Sequence, residues 1–162
     1  MARLKYKPQT EVKEVETIFG KIVIDSSATI HFPNAILGFP KYNYYCICPI
    51  PNNKIPGSLI FQCTENDKLT FLVTPIGNFE ESSILKYEDI TLVATTYNIE
   101  EQNLAILGIT RLYKSGQELQ ATINFMAPLF IDLKEKIGFQ HVFLKNNYPI
   151  NYPHELMMKQ EK

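Results

Sequence analysis

The chain has 162 residues, of which 45% are hydrophobic and 20% charged, with 16 basic and 17 acidic side chains. This length predicts one domain, and a net charge of −1 argues against nucleic acid as a direct partner, because nucleic-acid-binding surfaces are strongly basic. No window approaches the roughly 18 consecutive apolar residues of a membrane span, and no apolar stretch follows the basic N-terminal residues as in a secretory signal. We therefore expect a cytoplasmic protein with no membrane partner.

The N-terminal half predicts short strands separated by turns. Residues 1–12 are polar and contain Pro8, which favours a loose entry segment. Apolar and polar residues alternate through residues 15–25, and Asp25-Ser26-Ser27 is typical of a turn that leads into a return strand over residues 29–32.

Three further strands follow after a compact apolar loop. Residues 42–48 form the first, with Cys46 and Cys48 on one face. Residues 58–64 and 69–74 are predicted to form a hairpin across a polar turn.

The next part of the chain gives mixed signals. Asn78 and Glu81 resemble a capping box, which favours a short helix over residues 79–86. Residues 90–97 are rich in β-branched side chains and predict a strand. Residues 104–113 are apolar on both faces, as expected of a central strand.

The most regular pattern lies in residues 121–144. Strict alternation over residues 121–127 is typical of a half-buried strand, which Pro128 would end because proline cannot donate to a ladder. Residues 129–133 and 139–144 are predicted to form a hairpin across a charged turn.

About ten short strands at 8–12-residue spacing predict an all-β protein. We expect a single compact antiparallel β-barrel-like domain over residues 13–153, with at most one short helix. Residues 1–12 would form a loose N-terminal segment and residues 154–162 a C-terminal tail.

No catalytic site is predicted. The sequence carries no nucleophile-elbow, metalloprotease or phosphate-loop motif, and its paired carboxylates are adjacent in sequence, so they point apart. Cys46, Cys48 and Cys63 are expected to be buried and free. A zinc site that combines Cys63 with a histidine remains an alternative without supporting spacing. We expect neither a metal nor a cofactor.

The ten Phe and nine Tyr residues favour a binding protein. One set, on alternating strand positions, is expected in the core: Phe19, Phe61, Phe71, Phe125 and Phe143. A second set, at element ends or in loops, is expected to expose rings to a partner: Tyr44, Tyr45, Phe130, Phe139, Tyr148 and Tyr152.

Several blocks resemble the FliW family of flagellar assembly factors. They are TINFMAPLFID, GFQHVFL and NNYPINYPH in the C-terminal part, and FPNAILGFPKYNYY and LIFQCTENDKLTFLVTP before them. Ala35, Cys63 and Thr74 depart from the family pattern, in which Gly, Ser and Asp are usual. The resemblance implies a barrel-like β fold and binding of flagellin and of the translational repressor CsrA, so that flagellin supply is coupled to its translation.

Residue type suggests two contact regions. For flagellin, an apolar rim is expected, formed by Phe125, Ala127, Pro128, Phe130, Phe139 and Tyr148. For CsrA, whose RNA-binding surface is basic, the acidic pairs Glu80-Glu81 and Glu100-Glu101 are expected. Two alternatives remain: a β-barrel module that binds a small apolar ligand, and a hydrolase without a recognisable motif.

Overall fold

A computed structural model describes residues 11–76 and 84–154. It contains eleven strands and one α-helix, α1, over Tyr87–Thr96. The strands are β1 Val12–Thr17, β2 Gly20–Asp25, β3 Ile30–His31, β4 Tyr44–Pro49, β5 Leu59–Cys63, β6 Thr70–Pro75, β7 Leu104–Ser115, β8 Glu118–Ile123, β9 Leu129–Asp132, β10 Ile137–Gln140 and β11 Tyr152–His154.

Seven strands close into a ring in the order β7-β6-β5-β4-β3-β10-β9, and β9 returns to β7. Every pair in the ring is antiparallel except β3 with β10, which meet in parallel at His31 and Ile137. β8 and β11 extend the sheet outward from the far half of β7. The all-β, barrel-like fold with one short helix is confirmed, with one parallel pairing added.

The alternation of side chains sorts the apolar residues into separate cores. Tyr45, Phe61 and Val73 point into the ring, where they pack with Phe32 and Leu129. This interior is filled by side chains, so it lends no support to the small-ligand alternative. Apolar residues on the outer face of the strands therefore need a cover of their own, because they would otherwise face water.

Two elements supply these covers. The hairpin of β1 and β2 lays Val15 and Ile22 over the outward Cys46 and Cys48. On another side, α1 packs Ile90 and Val93 into a second outer cluster. That cluster also contains the outward strand side chains Ile106 and Phe130, and Phe143 from the irregular segment after β10.

Two strand predictions are wrong, and two others end too late, since β8 stops at Ile123 and not before Pro128, and β10 stops at Gln140 and not at Leu144. Residues 90–97 are not a strand: Ile90, Val93 and Ala94 form the buried face of α1, and this packing outweighs the β propensity of the segment. Residues 15–25 do not form one strand, because the chain reverses at Ile18 and Phe19 to pair β1 with β2. The predicted capping box at Asn78 and Glu81 lies outside the described residues, and Lys86 occupies the N-cap of α1.

Candidate protein-binding site

The candidate site begins where β8 ends. Asn124 stops the strand, because its side-chain oxygen accepts the backbone N–H groups of Met126 (3.0 Å) and Ala127 (3.1 Å) in an Asx turn. This turn directs Met126 away from the ladder of β8. The chain then enters β9, which closes the barrel.

A later segment, residues 141–151, lies alongside this turn. The backbone N–H of Phe143 donates to the carbonyl of Met126 at 2.7 Å, and the N–H of Phe125 donates to the carbonyl of Pro149 at 2.9 Å. These two bonds hold a largely irregular segment against the end of β8. The two backbones are therefore joined to each other by hydrogen bonds that involve no side-chain partner.

A groove of about 340 Å³ lies between the turn and this segment. Its rim includes Leu144, which is 79% exposed, and Ile150, which is 54% exposed. Large apolar side chains exposed beside a concavity are typical of protein-binding surfaces. We call this feature the groove; its lining residues are Met126, Phe143, Leu144, Asn147, Tyr148, Ile150 and Asn151.

The predicted apolar rim lies mostly beneath the surface. Of its six residues, Phe139 is half-buried and the others are buried: Phe125, Ala127, Pro128, Phe130 and Tyr148. The expected exposure of Phe130, Tyr45 and Tyr148 is wrong, because all three are buried. Phe139 stacks on Tyr97 with ring centroids 4.3 Å apart. Among the six, only Tyr148 lines the groove.

Sequence reasoning missed the two exposed aliphatic residues of the groove, Leu144 and Ile150. Ile150 is a single aliphatic residue in the polar stretch KNNYPIN, whereas Leu144 ends the apolar run VFL just before it. The available signal for Ile150 was contrast with its neighbours, because an isolated large apolar residue in a polar loop has no strand or helix face to join. Leu144 gave no such signal. The predicted contacts were mostly aromatic rings, which the barrel needs for its core.

Tyr148 connects the groove to α1. Its hydroxyl donates to the Asp89 carboxylate and accepts the backbone N–H of Lys86 at 3.0 Å. Its ring packs edge-on against Phe143, with centroids 5.0 Å apart. Burial and the bond to Asp89 raise the pKa of the Tyr148 hydroxyl, so it stays protonated and remains a donor.

His141 lies in the aromatic cluster on the other side of Phe143. Its Nδ1 is 3.2 Å from the hydroxyl of Tyr97, just past the end of α1. Burial lowers the pKa of His141, so the imidazole is neutral near pH 7. With this hydrogen bond and its half-buried position, His141 forms part of the wall of the aromatic cluster.

The second predicted region is acidic and exposed in its described part. Glu88, in the first turn of α1, is exposed, as are Glu100 and Glu101. Glu101 accepts a hydrogen bond from the Tyr87 hydroxyl at 3.3 Å, which links the residues after α1 to its first turn. We call Glu88, Glu100 and Glu101 the acidic surface. Glu80 and Glu81 lie outside the described residues.

The three cysteines are free and buried. Burial raises the pKa of each thiol, that of Cys48 to about 11, so none is a thiolate at neutral pH. Within residues 11–76 and 84–154, no three His, Cys, Asp or Glu side chains lie together in a way that could hold a metal ion. The helix found in these ranges is too short to cross a membrane.

The fold and the groove define a small closed β-barrel protein with an exposed apolar groove beside an outer helix. The chain belongs to the FliW family, because the family model described as "FliW protein" matches residues 13–154.

Known relatives agree with this assignment. The chain is 28% identical over 134 residues to a protein of Clostridium botulinum (strain Langeland / NCTC 10281 / Type F) named "Flagellar assembly factor FliW", a match that covers 83% of this chain and 90% of the relative. It is 32% identical over 123 residues to a protein of the same name from Alkaliphilus metalliredigens (strain QYMF), covering 75% and 73% of the two chains. A crystal structure of the flagellar assembly factor FliW shares the fold with a TM-score of 0.65 at 19% identity, covering 93% of this chain and all of the other.

Proposed function

We propose that this chain is a flagellar assembly factor that binds flagellin in the cytoplasm and antagonises the translational repressor CsrA. Family membership and the name shared by its relatives support the general role. The observation that carries the flagellin part is the groove, with Leu144 and Ile150 exposed at its rim. No covalent step is required.

The groove suits a helical client. An amphipathic helix places apolar side chains three and four residues apart on one face, and such side chains bind in surface grooves. The terminal segments of unassembled flagellin are the client that we propose. In this proposal Tyr148 forms a wall, while Phe125, Ala127, Pro128, Phe130 and Phe139 contribute as the packed layer beneath.

The switch follows from mass action. Free flagellin occupies the assembly factor, so that less of it remains to restrain the repressor, and flagellin translation falls. When flagellin is exported and the factor is released, the factor binds CsrA again. The acidic surface is the proposed contact for CsrA, because carboxylates attract a basic protein and speed its association.

The flagellin proposal is tested at the rim of the groove. Leu144→Glu with Ile150→Glu places two charges where apolar contact is expected, and we predict at least about a tenfold loss of affinity for monomeric flagellin. Titration calorimetry measures the affinity. Alanine at Phe130 is unsuitable, because removal of a fully buried ring costs about 3–5 kcal/mol of stability.

Ile18→Glu is the matched control. Ile18 is 88% exposed at the tip of the β1–β2 hairpin, so it receives the same charge on a comparably exposed apolar residue. This variant should bind flagellin as the native chain does. Equal affinity in the groove variant and the native chain would reject the groove as the flagellin site.

The CsrA proposal is tested by charge reversal. Glu100→Lys with Glu101→Lys should slow association with CsrA and reduce its dependence on salt, because fewer opposite charges remain. Glu118→Lys, on the exposed end of β8, is the control. Stopped-flow rates at several salt concentrations would show this, and unchanged rates in the double variant would remove the acidic surface from the proposal.

A further inference from the structure

The segment that lines the groove also holds both ends of α1. At the N-terminal end, the Tyr148 hydroxyl bonds the Asp89 carboxylate and the backbone N–H of Lys86. At the C-terminal end, His141 meets the Tyr97 hydroxyl at 3.2 Å. Eight residues of one irregular segment therefore fasten a helix of ten residues to the barrel.

The hydrogen bond from the backbone N–H of Lys86 to Tyr148 satisfies a donor at the start of α1. The first N–H groups of a helix have no partner within it, and a polar side chain just before the helix usually accepts one of them. Lys86, at the N-cap of α1, makes no such side-chain bond. A tyrosine 62 residues further along the chain fastens this end of the helix instead.

The same ring is a wall of the groove. Tyr148 lines it together with Leu144 and Ile150, and its ring is braced from one side by Phe143. A side chain that enters the groove would pack against the Tyr148 ring and restrict its rotation. The hydroxyl would then be held more firmly at Asp89 and Lys86.

We propose that occupation of the groove stabilises the docking of α1 through Tyr148, and so couples the groove to the acidic surface beside that helix. This inference rests on the proposed function and deepens it, because it gives the two partner surfaces a physical link. Coupling free energy is reciprocal, so a partner that alters α1 must change affinity at the groove by the same factor.

Hydrogen exchange tests the link. The amides of residues 86–97 are followed in the native chain, in Tyr148→Phe and in Tyr113→Phe, each with and without monomeric flagellin. In the native chain, flagellin should slow these amides by about tenfold, the factor that one hydrogen bond to a charged group supplies. Tyr148→Phe removes only the hydroxyl; each variant is compared at a flagellin concentration that saturates it, whatever its affinity, and in Tyr148→Phe the slowing should disappear.

Tyr113→Phe removes the same hydroxyl from an exposed tyrosine on β7 and should retain the slowing. The possible results distinguish the proposed flagellin binding from the proposed coupling through Tyr148. Absence of flagellin binding to the native chain overturns the proposed function and this inference together. Binding without slower exchange in α1 overturns the inference alone, as does slowing that persists in Tyr148→Phe.

Discussion

Replacement of Gly138 by alanine should destabilise the barrel through one contact. Gly138 lies in β10 opposite Ile131, in backbone conformations that alanine also adopts. A Cβ there would lie 2.3 Å from Cζ and 2.4 Å from Cε1 of Phe32. Carbon atoms in contact normally stay about 3.5–4.0 Å apart, so either the ring or the strand must move.

The ring has little room to move. Phe32 is completely buried and packs edge-on against Tyr45 at 5.7 Å and Phe61 at 5.4 Å between centroids. Overpacking of a filled core costs about 1–3 kcal/mol, while the lower entropy of the unfolded chain returns roughly 0.4–1 kcal/mol. We therefore expect a net loss of about 1–2 kcal/mol, measured by urea unfolding.

A double-mutant cycle isolates the contact. Phe32→Leu removes the far end of the ring, so Gly138→Ala in that background should cost at least about 1 kcal/mol less than in the native chain. A cost that is the same in both backgrounds, or a single variant that is neutral, would show that the close approach of Phe32 does not require glycine at this position.

Three further predictions concern other parts of the chain. Asn98, just past α1, has a φ of 56°, so Asn98→Ala should lower the free energy of unfolding by about 1 kcal/mol while Asn98→Gly should not. Burial lowers the pKa of His141, so the unfolded chain binds its proton more readily and stability falls as the pH drops below about 6.5; thermal unfolding of His141→Gln should show a smaller fall. The thiols of Cys46, Cys48 and Cys63 should react with a thiol reagent at about pH 8 only in denaturant, since each is buried with a raised pKa; rapid labelling of the native chain would contradict this.

Local patterns were enough for most strands. The strands β5, β6 and β9 each begin and end within one residue of the predicted ranges, because alternation and turn chemistry act over a few residues. β10 is shifted toward the turn, since it spans Ile137–Gln140 and not residues 139–144. The glycine that is usual in the family pattern at position 35 also has a local reason. Ala35 has a φ of 60°, a conformation that glycine adopts without strain.

The helix shows where local patterns fail. Residues 90–97 combine β-branched side chains with an apolar spacing of three and four residues at Ile90, Val93 and Ala94. Propensity favours a strand and periodicity favours a helix. The outer face of β9, with Phe130 pointing away from the barrel interior, supplies the surface against which the helical spacing can pack. Packing against that surface therefore decides that residues 90–97 belong to a helix and not to a strand.

The sequence by itself determined a β protein with a large aromatic core. A strand with one buried face needs only apolar residues two positions apart, and this chain has that spacing together with ten Phe and nine Tyr residues. Closure of the ring was decided in three dimensions, where His31 meets Ile137 and one half of β7 meets β9. The groove was also decided by the tertiary structure, because its two sides are joined by backbone hydrogen bonds from Phe143 to Met126 and from Phe125 to Pro149. Every residue except proline carries the same backbone donor and acceptor, so the pattern of side chains does not predict which backbone groups will form hydrogen bonds with each other.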